Sequence, residues 1–288
     1  MPEQYLEIQS ANSTLSAILH STTGNPAAAN IGVLIIVGGP QYRVGSHRQF
    51  VKLSRHLASQ HIPSMRLDST GMGDSSGQKQ SFYQQTTDIN AGIDAMFQQL
   101  PQLQQVVLWG LCDAASAILL KMNQPDPRIA GLILLNPWVR QQHSHAETLL
   151  KHYYLKRLIS RSFWRKVFSG GLAFQRTFTD LRQTWHSSKQ PPTLNPIHTA
   201  EFNETNYVNH MLKGWQATQL DTLLISSGQD LTAQEFLHLC QHDSAWQKCF
   251  NRAKQLHLAN ANHTFSTTQW RNQVEQACSD FVRALQSK

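Results

Sequence analysis

Three residues, Cys112, Asp230 and His263, have the types and the chain order that nucleophilic chemistry needs. A thiol can attack a carbonyl, an imidazole can take its proton, and a carboxylate can orient the imidazole. Cys112 lies in the stretch VVLWGLCDAAS, residues 106–116. The apolar run Val106-Val107-Leu108-Trp109 reads as a buried strand, Gly110-Leu111-Cys112-Asp113-Ala114 as a sharp turn, and the alanine-rich residues after it as a helix. Such a strand-turn-helix elbow holds a nucleophile clear of the sheet, and the residues two before and two after it must be small because strand and helix approach closely there. Ala114 stands where a second glycine is usual, a mild departure. A buried, inert thiol on an ordinary turn would write the same pentapeptide. The nucleophile reading gains weight from what lies downstream, an acid and then a histidine.

Asp230 follows the apolar strand at residues 221–227 and precedes a helix that starts at Leu231, which suits the acid that orients the histidine. His263, in Asn260-Ala261-Asn262-His263-Thr264-Phe265, is the only one of the fourteen histidines in the loop after the last strand, residues 254–258. A thiol at a helix N-terminus beside an imidazolium is expected to be biased towards thiolate. The oxyanion that forms when the thiol attacks needs two N–H donors. Asp113 N–H is the first. Gln41 N–H is the expected second, because Gly38-Gly39 turns the chain at the end of the strand at residues 31–37 and Pro40 has no N–H. A tight turn without catalytic purpose is the other reading of that glycine pair.

These residues are positioned by repeated strand-helix units. Residues 5–19 read as an opening hairpin, with a turn at residues 23–26. The run GVLIIV is apolar on both faces and therefore central and parallel. A helix at residues 47–61 is stopped by Ile62-Pro63, and a strand follows at residues 64–67. Its end, DSTGMGDS from Asp68 to Ser75, places Asp68 to bond the backbone of a glycine loop, a structural role. A helix at residues 83–99, the elbow, and a strand at residues 129–135 complete the series. A closing helix covers residues 270–286. The pattern predicts a mostly parallel, doubly wound sheet.

Between the strands at 129–135 and 221–227 the pattern breaks. Residues 140–216 read as a helical, basic insertion, with helices at residues 147–168 and 201–215, so the core is expected at residues 1–139 and 217–288. Within residues 140–176, Arg140, Lys151, Lys156, Arg157, Arg161, Arg165, Lys166 and Arg176 oppose only Glu147, so this segment carries roughly the whole net charge of +7. A solvated face, a membrane-surface contact and a landing site for an anionic substrate portion compete for that charge. Arg43, Arg140, Arg157 and Arg161 are the candidate substrate-binding cations.

Composition excludes other classes. No recognition motif accompanies the basic segment, so nucleic acid is not an expected partner. The N-terminus has neither a basic start nor an unbroken apolar run, and no stretch approaches the ~18 apolar residues of a spanning helix. A cytoplasmic protein is expected. Cys112, Cys240, Cys249 and Cys278 show no C-x-x-C spacing, so no metal and no cofactor are expected, and the thiols are expected reduced.

The stretches VGGPQYRVGSHRQF (residues 37–50), RLDSTGMGDS (66–75), GLCDAAS (110–116), SGQDLTAQEF (227–236) and HTFS (263–266) resemble α/β-hydrolases of the group called exosortase A system-associated hydrolase 1. The resemblance implies an α/β-hydrolase fold with the insertion as a cap over the site, and it implies Cys112, Asp230 and His263 as a triad. It also implies a place in bacterial exopolysaccharide metabolism with an undefined substrate. The expected activity is hydrolysis of an ester or thioester through a thioacyl-enzyme. Transfer of the acyl group to a sugar hydroxyl, or a catalytically silent relative that only binds, are the alternatives.

Overall fold

The computed structural model describes residues 3–22, 30–140 and 202–287. Residues 141–201, which hold most of the expected cap with Arg157 and Arg161, and the expected turn at residues 23–26 lie outside them.

Among the described residues eight strands form one sheet: β1 (Glu3–Ser10), β2 (Ser13–His20), β3 (Ile31–Ile36), β4 (Ser64–Leu67), β5 (Gln105–Leu111), β6 (Ile129–Leu135), β7 (Asp221–Ser227) and β8 (Lys254–Leu258). Their spatial order is β1-β2-β4-β3-β5-β6-β7-β8. β2 runs antiparallel to β1 and to β4, and every other pairing is parallel. All six residues of β3 are buried, as a strand covered by helices on both faces must be. β1, at the edge, keeps most of its residues in solvent.

The helices are α1 (Gln49–Ser59), α2 (Thr86–Gln99), α3 (Asp113–Lys121), α4 (Tyr207–Ala217), α5 (Leu231–His242), α6 (Ser244–Arg252) and α7 (Thr268–Gln286). Successive strand residues point to opposite faces, and β3 shows the consequence. Leu34 and Ile36 join one apolar cluster with Ile93 and Met96 of α2, Ile118 of α3 and Trp215 of α4. Val33 and Ile35 join the other, with Phe50 and Leu57 of α1 and Cys278 and Val282 of α7. The doubly wound α/β-hydrolase sheet expected from the sequence is the observed one. Among the described residues no helix is long and apolar enough to cross a membrane.

One expectation needs correcting. The helix placed in the cap at residues 201–215 is α4, and it belongs to the same compact unit as the sheet, which resumes at Phe202 and not at residue 217. Its apolar face, Val208, Met211 and Trp215, is buried. Gly214 lets it approach α3 so closely that a Cβ there would stand 2.0 Å from the Leu119 carbonyl oxygen. Asn123 Nδ2 of the residues after α3 donates to the His210 carbonyl at 2.9 Å. Helical spacing shows an apolar stripe but not what covers it. α6 was not anticipated; Asp243 begins it by accepting from Ala245 and Trp246 N–H at 2.8 and 3.1 Å.

Between β2 and β4, His20 is fully buried, with Arg66 Nε and Nη2 at 3.2 and 3.0 Å from its Nε2. Burial, and then the Arg66 cation, push the imidazole down to about 4. The unfolded chain, with an ordinary histidine, binds the proton first, so this residue's contribution is complete above pH ~6.5 and is lost as pH falls towards 4. Urea unfolding at pH 7 and pH 4.5 should show a loss on the order of 2 kcal/mol from this group. His20→Gln should flatten that part of the pH dependence. An unchanged slope in the variant would remove His20 as its source.

Candidate active site

The elbow forms as its residues dictate. A Cβ on Gly110 would meet the Ala114 carbonyl carbon at 2.7 Å, so only glycine lets β5 turn directly into α3. Cys112 has φ 64° and ψ −124°, a strained conformation for a residue with a side chain. The surroundings hold it there: Cys112 N–H bonds Leu135 O at 2.8 Å, while Cys112 O accepts from Ser116 and Trp138 N–H at 3.3 Å each. Cys112 is partly exposed, whereas Cys240, Cys249 and Cys278 are buried.

Asp230 and His263 meet. His263 Nδ1 lies 2.8 Å from Asp230 Oδ2, and that same oxygen accepts from Ala233 N–H at 3.1 Å, at the start of α5. A carboxylate used twice in this way is fixed, and it fixes the ring: with Nδ1 bonded to Asp230, Nε2 is the nitrogen left for proton transfer. Cys112, Asp230 and His263 follow the carboxyl ends of β5, β7 and β8, and Asn136 follows the end of β6 between them.

Asn136 was not singled out from the sequence, yet it ties this end of the sheet together. Its Nδ2 donates to Ser227 Oγ at 2.8 Å and to His263 O at 3.2 Å. Its Oδ1 accepts from Ser227 N–H at 3.0 Å. Buried and at φ 44°, it positions the histidine loop on β7. The signal was an asparagine directly after an apolar strand, in LLNPW, where a polar side chain has no core to enter.

Electrostatics correct the expected thiolate bias. Burial first and the Asp113 carboxylate second push the Cys112 thiol up to about 12; Asp230 adds to the rise, while Asp113 N–H at the sulfur and Arg140 oppose it. Two carboxylates in a desolvated site outweigh one helix N-terminus. Cys112 therefore rests as a thiol, and its attack must be coupled to proton removal by a base.

The glycine turn brings a backbone N–H to the elbow. Gly39, at φ 63°, directs its N–H to the elbow and donates to Asp113 Oδ2 at 2.8 Å. A Cβ on Gly38 would stand 2.1 Å from Asp113 Oδ1. The Gln41 side chain braces the chain before α1, its Oε1 accepting from Ser46 N–H at 3.1 Å. The turn occurs one step after Gly38 and so brings Gly39 N–H to Asp113.

Of the candidate cations, Arg43 is spent on structure. Its guanidinium bonds the Asp68 and Asp74 carboxylates, and its N–H also bonds Asp68. Asp68 takes the structural role expected of it, accepting from Asp74 N–H at 3.2 Å as well. Arg140 pairs with Glu235, Nε to Oε1 at 3.1 Å and Nη2 to Oε2 at 3.1 Å. It also lies over the Trp138 ring at 4.8 Å. Its charge reaches Cys112 but is already partnered. Arg157 and Arg161 lie outside the described residues.

Comparison with known proteins agrees with this fold. The family model described as Serine aminopeptidase, S33 matches residues 31–258. No curated protein matches the chain. Among solved structures, Est1E from Butyrivibrio proteoclasticus with ferulic acid bound is similar at TM-score 0.64 and 17% identity, over 98% of this chain and 100% of that one. The esterase Pf2001 of Pyrococcus furiosus is similar at TM-score 0.62 and 13% identity, over 98% of this chain and 92% of that one. DcsB in complex with its substrate analogue is similar at TM-score 0.65 and 12% identity, over the whole of both chains. At such identities the likeness shows the fold.

Proposed function

The chain belongs to the hydrolase family described as Serine aminopeptidase, S33, and from that premise we propose that it is an esterase-like hydrolase whose nucleophile is Cys112 in place of a serine. The substrate is an ester or thioester. His263 Nε2 takes the proton of Cys112 as the sulfur attacks the carbonyl carbon, and the carbonyl π pair moves onto oxygen. Asp230 steadies the imidazolium so formed. The N–H groups of Gly39 and Asp113 receive the oxyanion, the substrate oxygen taking the place that the Asp113 carboxylate holds at Gly39. Collapse breaks the bond to the leaving alcohol or thiol, which leaves with the proton from His263, and a thioacyl-enzyme remains. Water, deprotonated by His263, attacks this thioester and releases the acid and the thiol.

The observation that carries this reading is the 2.8 Å bond between His263 Nδ1 and Asp230 Oδ2, made at the sheet end where the strained elbow holds Cys112. The sequence resemblance supports a role in bacterial exopolysaccharide metabolism, and a sugar hydroxyl in place of water would make the same thioacyl-enzyme an acyl donor. Reduced thiols suit a cytoplasmic location.

Iodoacetamide at neutral pH tests the assignment. Cys112 should be labelled ahead of the three buried cysteines, and turnover of p-nitrophenyl acetate should fall in step with its labelling. The labelling rate should keep rising with pH towards about 12 rather than level off near the ~8.5 of a free thiol. Full labelling of Cys112 with activity retained would overturn the proposal.

A further inference from the structure

The Asp113 carboxylate sits where a reacting carbonyl oxygen would have to lie. Gly39 N–H, one of the two proposed oxyanion donors, is occupied by Asp113 Oδ2 at 2.8 Å. Room for the carboxylate exists because residue 38 has no side chain: a Cβ on Gly38 would stand 2.1 Å from Oδ1. Yet the seat holds the carboxylate by one end. Oδ1 is closed off from solvent and lacks a hydrogen bond. Burial pushes the carboxyl up against the pull of backbone N–H groups, that of Gly39 foremost, and of the Lys79 charge. A buried acceptor left in this way is a store of strain that a second arrangement can release. After burial, the same carboxylate is the strongest influence holding Cys112 as a thiol. Asp113, Gly39 and Lys79 line one cleft of about 340 Å³, and Lys79 is exposed. A carboxylate turned away from Gly39 therefore has space to enter and a cation to meet.

We propose that the Asp113 side chain is an internal inhibitor, closing the oxyanion site at rest and opening it by turning out towards Lys79. Opening empties the Gly39 donor and carries a negative charge away from the sulfur, so one rotation prepares both the hole and the nucleophile. An ester reacts only with the open fraction of molecules, and its apparent affinity is reduced by that fraction. What the opened site then does rests on the ester-hydrolase reading; the opening itself does not.

Asp113→Ala keeps the backbone N–H and removes the carboxylate. Its kcat/KM for p-nitrophenyl acetate should rise about tenfold or more, as expected when a hydrogen bond to a charged group no longer has to be broken. Asp113→Asn, whose amide oxygen can still accept from Gly39 N–H but carries no charge, should lie between the two, and unfolding midpoints check that both variants fold. Lys79→Met should lower kcat/KM severalfold in the parent, and that loss should vanish once Asp113→Ala is also present. Amide NMR in the Cys112→Ala background gives a reading that needs no turnover: sodium acetate should shift the Gly39 N–H signal when Asp113→Ala is added and leave it in place when Asp113 is kept. An equal response to acetate with and without the carboxylate would overturn the inhibitor, as would a folded Asp113→Ala protein that turns the ester over no faster than the parent. Absence of turnover in every variant, with the acetate contrast intact, would strike the hydrolase reading instead.

Discussion

His263→Ala and Cys112→Ala should each lower kcat/KM for an activated ester by about 10³-fold or more, and the double variant should lose little beyond the more damaging single change. The reason is that neither residue works alone. With its thiol pushed up to about 12, Cys112 is a poor nucleophile until a base takes the proton, and His263 has nothing to activate once the sulfur is gone. Asp230→Asn should cost nearly as much, because an amide at 2.8 Å from Nδ1 can hold the ring in the wrong tautomer. Its unfolding midpoint should fall as well, by the cost of a lost helix cap of about 1 kcal/mol, since the amide nitrogen that meets Nδ1 cannot accept from Ala233 N–H. Steady-state kinetics on the three single variants and the double decide the matter. Losses that multiply would mean that Cys112 and His263 act in separate steps and not as one unit.

Gly214→Val should destabilise the fold by roughly 3 kcal/mol or more. The added Cβ would stand 2.0 Å from the Leu119 carbonyl oxygen and 3.2 Å from its carbon, and these are backbone atoms of a buried helix that cannot rotate away. α4 would have to lift from α3 and expose Met211 and Trp215. Gly92→Ala makes the contrast: its Cβ would meet Leu34 and Leu67 methyl groups at 3.1 Å, flexible side-chain ends, so its urea midpoint should stay near the parent's. A Gly214→Val protein as stable as the parent would mean that α4 does not dock on α3.

These two tests divide between what was legible in the sequence and what was not. β3, β5 and β6 were readable because strands buried on both faces are apolar without alternation, and only a parallel sheet between helix layers asks for that. Cys112 and Asp230 were readable as candidates because each follows such a strand closely, and His263 because it lies in the loop after the last strand, β8, so that nucleophile, acid and histidine come in the order of the topology. α4 was misplaced because an apolar stripe on a helix does not name its partner. Arg43 looked free because its partners, Asp68 and Asp74, come from another strand's loop. The thiolate expectation failed for a related reason: the helix N-terminus is visible in the sequence, while the desolvation that outweighs it is a property of the packed site.

The central claim, a covalent intermediate on Cys112, is tested most directly by intact-protein mass spectrometry after rapid acid quench of a reaction with p-nitrophenyl acetate. One acetyl group per chain is expected before the steady state, mapped to the Cys112 peptide and removed by neutral hydroxylamine as a thioester should be. Turnover with no adduct at any quench time, or an adduct on another residue while Cys112 stays free, would contradict it.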